Sequence, residues 1–189
     1  MDSTRQQRST FEPVKIIRGT TILLQLLCSL ACAQQGNPKA VPYRAKNGMV
    51  VSQDLHASEV GCEILRQGGN AVDAAVATAF ALAVTHPAAG NIGGGGFMGV
   101  MLENGKSTTF DFRERAPGAS HPDMFLDEKG KYDSARHHFS HVAVGVPGSV
   151  AGLYLAHQRL GRLPWKKLVE PAVKLAADGF RVSPGLAAD

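Results

Sequence analysis

Arg113 is the side chain best placed by its neighbours to do chemistry. It closes a stretch, 107–112, in which Thr108, Phe110 and Phe112 alternate with Ser107, Thr109 and Asp111. That period of two predicts a half-buried strand with a cation at its rim. A guanidinium can grip a carboxylate with two parallel hydrogen bonds, which fixes orientation as well as charge. Two readings stand: capture of an anionic ligand, or a local ion pair with Glu114, Asp111 or another nearby acid. The chemistry alone favours the ion pair.

Other candidates weaken on inspection. Gly94-Gly95-Gly96-Phe97-Met98-Gly99 fits G-x-G-x-x-G, but a dinucleotide site needs a strand before the glycines and a helix after them. Here a helical pattern precedes and a strand pattern follows. Gly105-Lys106-Ser107 resembles the end of a phosphate loop, yet Val100 stands where the earlier glycine belongs. Both nucleotide readings are rejected. The run Gly93 to Gly96 still needs a cause: a tight crossing with no room for Cβ, or the wall of an active site. His137, His138 and His141 lack a Cys or carboxylate partner at ligand spacing and read as a solvated loop. His86, before Pro87, reads as a helix-end residue. Cys62 lies within an apolar helical pattern and reads as a small core filler.

The positioning elements are legible from punctuation and period. Residues 48–52 (GMVVS) form a strand candidate. Residues 56–67 read as a helix with apolar positions 57, 60, 61, 64 and 65, stopped by Gly68-Gly69. Asn70 caps the next helix, 71–84, with Asp73 as partner in a capping box; that helix is apolar all round and so buried on several sides. Residues 97–102 and 107–112 pair across Asn104-Gly105, a two-residue hairpin signal. Residues 117–140 are loop-rich, with a turn at 129–131, and 142–146 is a short strand candidate. Ser149 caps a helix to Leu160, ended by Gly161. Pro164 and Pro171 open two further helical pieces, the second ended by Gly179.

The chain's 189 residues fit one domain. Residues 1–33 read as an export signal: Arg5, Arg8, Lys15 and Arg18 precede an uncharged Leu-rich run, with Ala31-Cys32-Ala33 before Gln34. The run is shorter than the roughly 20 residues of a membrane span. Removing its four Lys/Arg and two Asp/Glu leaves 16 basic against 14 acidic residues, a net of +2. No basic stripe with interleaved aromatics remains, so nucleic acid is not an expected partner. Cys28 and Cys32 leave with the signal, and Cys62 is then the only cysteine. Residues 34–46 read as an arm, with Pro38 and Pro42, and 47–189 as the body.

Five blocks in order, within 44–189, carry a family resemblance: 44–50 (RAKNGMV), 68–97 (GGNAVDAAVATAFALAVTHPAAGNIGGGGF), 111–117 (DFRERAP), 145–152 (GVPGSVAG) and 171–180. The chain resembles the start of the large chain of a γ-glutamyltranspeptidase (glutathione hydrolase). The resemblance implies an α+β fold, part of the αββα sandwich of the N-terminal-nucleophile hydrolases and incomplete in this fragment. It implies a precursor that cuts itself before a Thr. The freed Thr attacks a γ-glutamyl amide, and water or an acceptor amine takes the acyl group. It implies that Arg113 binds the glutamyl α-carboxylate, with Arg115 as the alternative, and that the nucleophile lies beyond Asp189. Thr78, Thr85, Thr108 and Thr109 sit inside expected elements, so none is taken as that nucleophile. Expected partners are a γ-glutamyl substrate such as glutathione, an amine or peptide acceptor, and the small chain of the same precursor. No cofactor, metal or lasting membrane span is expected, and the protein is expected to be exported, to the periplasm or outside the cell. A related acylase cutting another amide and an exported non-catalytic module are the alternatives.

Overall fold

The computed structural model describes residues 41–188. The export signal expected over 1–33, and most of the arm, lie outside them. The chain divides into Met1–Arg44 and Ala45–Asp189, and every element named below belongs to the second unit.

Helix α1 (Leu55–Arg66) starts at Asp54, whose carboxylate accepts from the Ala57 amide at 3.1 Å. It ends where Gly68 takes φ +89°. Gly69 N–H then reaches Ile64 C=O at 3.0 Å and Gly68 N–H reaches Leu65 C=O at 3.1 Å, the paired bonds of a Schellman motif. Ala57, Gly61 and Ile64 are buried. Gly61 faces the next helix so closely that a Cβ there would strike the Thr78 hydroxyl and lie 2.8 Å from Val50 Cγ1.

Helix α2 (Ala71–Thr85) is the centre of the described core, packed against α1 and against the helices Ser149–Leu160 and Trp165–Asp178. The expected capping box forms: Asn70 Oδ1 accepts from Val72 and Asp73 amides, and Asp73 Oδ2 accepts from the Asn70 amide at 3.0 Å. Asp73 does more than close the box. Fully buried, its carboxylate also accepts from Arg162 N–H, at 3.1 and 3.0 Å, and from Leu163 N–H at 3.3 Å. The start of α2 thereby holds a loop about ninety residues further along.

Strands β1 (Phe97–Met101) and β2 (Ser107–Asp111) pair antiparallel, Phe97 opposite Asp111 and Met101 opposite Ser107. Phe110 turns inward, 5% exposed. The turn differs from the two-residue expectation. Leu102 N–H bonds Lys106 C=O and Gly105 N–H bonds Leu102 C=O, so three residues form the loop. Only Gly105 takes positive φ, +79°, and Asn104 does not; this is a turn followed by a left-handed glycine.

Four further expectations are corrected. Residues 48–52 form no strand, because no described strand lies beside them; Ser52 N–H bonds the Ser58 hydroxyl instead and Val50 lies against Gly61. Residues 142–146 hold a 3₁₀ turn (His141–Ala143) and one bridge, Val146 to Arg115. A short helix, α3 (Ser134–Phe139), precedes them, capped by Asp133. Helix α4 (Ser149–Leu160) has Gly148 at its cap position with no side-chain bond. Ser149 is the first helical residue and donates elsewhere. The two pieces expected after Pro164 are one helix, α5 (Trp165–Asp178), with Pro171 inside it. The ring costs the bond to the Lys167 carbonyl, but Leu168 and Ala172 on either side are buried, 0% and 5% exposed, and their packing carries the helix through. Trp165 meets Phe80, Tyr154 and His157 edge-on or tilted, with centroids 5.1–5.4 Å apart, which joins α2, α4 and α5. Gly179 ends α5 as expected, and a short α6 (Pro184–Ala188) follows. No described helix is long and apolar enough to cross a membrane.

Candidate active site

The site is built on the end of β2. Phe112 adds one more rung to the hairpin, its N–H donating to Gly96 C=O at 3.0 Å and its C=O accepting from Gly96 N–H at 3.4 Å. Its ring fills the space left by Gly152 on α4, where any Cβ would collide with it. The inward Phe112 therefore leaves Arg113 to point out of the sheet rim, as the alternation requires.

Arg113 N–H donates to Asp111 Oδ1 at 3.1 Å, and its Nε donates to Glu114 Oε1 at 3.3 Å. The Arg113 side chain is 65% exposed and that of Glu114 41% exposed. The Glu114 carboxyl is held below its ordinary value, first by its own backbone N–H and then by Arg113. The pair is the local one allowed by the sequence. An exposed pair of this kind is weak, about 0–1 kcal/mol, and can yield to a better carboxylate.

Arg113, Glu114 and Arg115 border a cleft of about 420 Å³, with Met124, Phe125 and Val142 opposite. The Ser120 hydroxyl in its wall is buried without a partner. A larger cleft of about 780 Å³ lies between residues 47–53 and α2. Its polar side chains, Asn47, Ser52, Gln53, Asn70 and Thr78, are all neutral, so it offers no charge to hold an anion.

The glycine run has a structural cause. A Cβ on Gly95 would collide with the Glu114 backbone and carboxylate, and lie 2.7 Å from Phe112 C=O. Gly95 is a tight crossing, and what it crosses is the Arg113 peptide; a Cβ on Gly93 would meet nothing within 4 Å. Sequence reasoning missed Asn91, Gly148 and Ser149, which meet at that crossing. Asn91 falls in the 68–97 block of the resemblance and Gly148 and Ser149 in the 145–152 block, but no spacing links the two blocks.

The remaining candidates stand apart. His137 and His138 lie on α3, and both bond the Tyr132 hydroxyl, at 2.7 and 3.3 Å. No group of three His, Cys, Asp or Glu among the described residues could hold a metal. Cys62 is half-buried on α1. His86 is the residue at the end of α2. Thr78 and Thr85 are buried in α2, and Thr108 and Thr109 lie in β2.

The architecture is that of the N-terminal-nucleophile hydrolases. The structure aligns with γ-glutamyltranspeptidase from Helicobacter pylori at TM-score 0.74 and 44% identity, over 78% of this chain and 42% of that one. It aligns with a cephalosporin acylase from Bacillus halodurans at TM-score 0.61 and 29% identity, over 80% and 29%. The glutathione hydrolase proenzyme of Escherichia coli K12 is 57% identical over 148 residues, 78% of this chain and 26% of the relative. A family profile described as Gamma-glutamyltranspeptidase matches residues 57–189, and the chain belongs to that family. It spans about a quarter of the length of the curated relatives it matches.

Proposed function

We propose that this chain is the opening segment of the large chain of an exported γ-glutamyltransferase and glutathione hydrolase, and that Arg113 grips the substrate's α-carboxylate. The observation that carries this is Arg113 itself: a guanidinium at a sheet rim, on a closely packed backbone, whose carboxylate partner is an exposed neighbour. An α-carboxylate can accept from two guanidinium N–H groups at once, which the single Nε contact to Glu114 leaves available.

In the proposed reaction a Thr freed by precursor cleavage supplies the attacking oxygen. Its hydroxyl proton passes to its own amine as the oxygen bonds the γ-carbonyl carbon. The amide C–N bond breaks, and the leaving amine takes the proton. Water or an amine then releases the γ-glutamyl group. Arg113 supplies orientation: a fixed α-carboxylate leaves the γ-carbonyl a defined reach away. The partner holding the Thr is the small chain of the same precursor.

The likeness to cephalosporin acylase keeps a second reading alive, a related acylase on a different amide. One comparison separates them. A precursor of the relatives' length carrying this segment is assayed on a γ-glutamyl anilide and on the 4-aminobutanoyl anilide, which lacks the α-carboxylate. Strong preference for the first supports the γ-glutamyl reading; equal or reversed use contradicts it.

A further inference from the structure

Arg113 has little of its own to fix its direction. Its side chain is two-thirds exposed, and its ion-pair partner is an adjacent side chain that is itself 41% exposed. The direction must come from the backbone beneath it, and two other segments press on that backbone. From one segment comes Gly95, whose absent Cβ leaves room for Glu114 N and Phe112 C=O. From the other comes Gly148, where a Cβ would collide with Phe112 C=O and lie 3.4 Å from Arg113 C=O.

These two segments are fastened to each other. Gly94 C=O accepts from Gly148 N–H at 2.8 Å and from Ser149 N–H at 3.0 Å. Asn91 Oδ1 accepts from Gly94 N–H at 2.8 Å and from the Ser149 hydroxyl at 2.8 Å. Ser149 is 5% exposed, so this acceptor is what satisfies its buried hydroxyl. Asn91 bonds both segments through one oxygen, while its own residue stays at the surface and outside the apolar core.

We infer that Asn91 is a positioning residue for Arg113: it locks the glycine loop to the start of α4, and the lock aims the guanidinium at the substrate's α-carboxylate. The inference rests on the reading of Arg113 as the carboxylate anchor. It assigns Asn91 an effect on one substrate group only. Both bonds to Asn91 Oδ1 come from donors, so a carboxylate oxygen can take its place there, and only the exposed Nδ2 bond to Ala89 C=O, at 3.2 Å, is lost. Asn91→Asp keeps the lock, and Asn91→Ala opens it.

The test uses a precursor of the relatives' length carrying this segment. Asn91→Ala, Asn91→Asp, Arg113→Ala and the Asn91→Ala/Arg113→Ala double variant are compared on the γ-glutamyl anilide and the 4-aminobutanoyl anilide. A displaced anchor costs on the order of ten- to a hundredfold. Asn91→Ala is therefore expected to raise KM for the γ-glutamyl anilide by at least about tenfold, with kcat changed less. The same variant should leave kcat/KM on the 4-aminobutanoyl anilide near the parent value. Asn91→Asp should stay near the parent, and Asn91→Ala should add nothing in the Arg113→Ala background. If Asn91→Ala fails to self-process, Ser149→Ala removes one of the two bonds and should raise KM in the same direction by less. Unchanged KM in Asn91→Ala beside an impaired Arg113→Ala overturns the positioning role alone, as does equal loss on both anilides. A normal Arg113→Ala overturns the anchor reading and the inference with it.

Discussion

Replacing Asp73 should loosen the join between α2 and the loop before α5 more than any surface change can. The carboxylate is fully buried and takes four N–H···O contacts from three amides, Asn70, Arg162 and Leu163. Asp73→Ala strips all three of their acceptor. Each buried amide left without one costs roughly 1–3 kcal/mol. Arg162 is itself exposed, so water recovers part of the loss, and the total is about 3–5 kcal/mol. Asp73→Asn is milder. An amide oxygen placed at the Oδ2 position keeps one bond to each of the three amides, while its NH₂ faces Arg162 N–H donor to donor. The cost is about 1–2 kcal/mol, with the charge assistance also gone. Hydrogen exchange at Arg162 and Leu163, in a precursor of the relatives' length, reads the local opening free energy directly. Exchange at those amides that quickens by less than about tenfold in Asp73→Ala, a loss of only 1.4 kcal/mol, would refute the reasoning. So would Asn and Ala variants that exchange alike.

Other outcomes are expected. Gly61→Ala should destabilise the α1–α2 contact by about 1–3 kcal/mol, because the new methyl strikes Thr78 and Val50; a neutral thermal melt contradicts this. Glu114 should remain ionised below its ordinary value of 4.5. Whatever its contacts contribute is complete above that value and is lost as pH falls through the depressed one. Its carboxyl NMR titration should move only part of the way back in Arg113→Ala, since its own backbone N–H is the larger cause; full recovery would assign the shift to Arg113 alone. The isolated 189-residue chain should release no product from a γ-glutamyl anilide. None of Thr78, Thr85, Thr108 or Thr109 can become a chain terminus without destroying α2 or β2. That chain should also self-associate. Phe97 and Met101 are 62% and 79% exposed, on a two-stranded sheet with both outer edges open among the described residues; a monodisperse monomer would count against this.

What the sequence reveals here is what is local. The end of α1 follows from the Gly68-Gly69 stop and the start of α2 from Asn70 and Asp73, all within a few residues of the bonds they make, whereas the Asp54 cap of α1 goes unread. The hairpin follows from its alternation, down to the inward Phe110. Errors fall where a distant partner decides. Residues 48–52 have strand composition but find helices beside them. Pro171 reads as a helix start until Leu168 and Ala172 are seen packed on α2. Arg113 stands out because its own strand presents it. Asn91 does not, because its partner Ser149 is 58 residues away and no period or spacing links the two. The glycine run announces crowding without naming what crowds it; Phe112 and Glu114 do.

Arg113 offers the most direct test. Arg113→Ala and Arg113→Lys, in a precursor of the relatives' length, are assayed for γ-glutamyl anilide kinetics and, on a gel, for self-cleavage. Losing one partner of a desolvated charge pair costs roughly 2–5 kcal/mol. Both variants are therefore predicted to lose at least about thirtyfold in kcat/KM, mostly through KM. Lys fails too because it cannot make the two-pronged contact. Self-cleavage is predicted to persist, since the bond cut there presents no glutamyl α-carboxylate. Parent-like kinetics in Arg113→Ala would remove Arg113 from the site. Failed self-cleavage in both variants would give it a folding role instead, through the Glu114 pair already present.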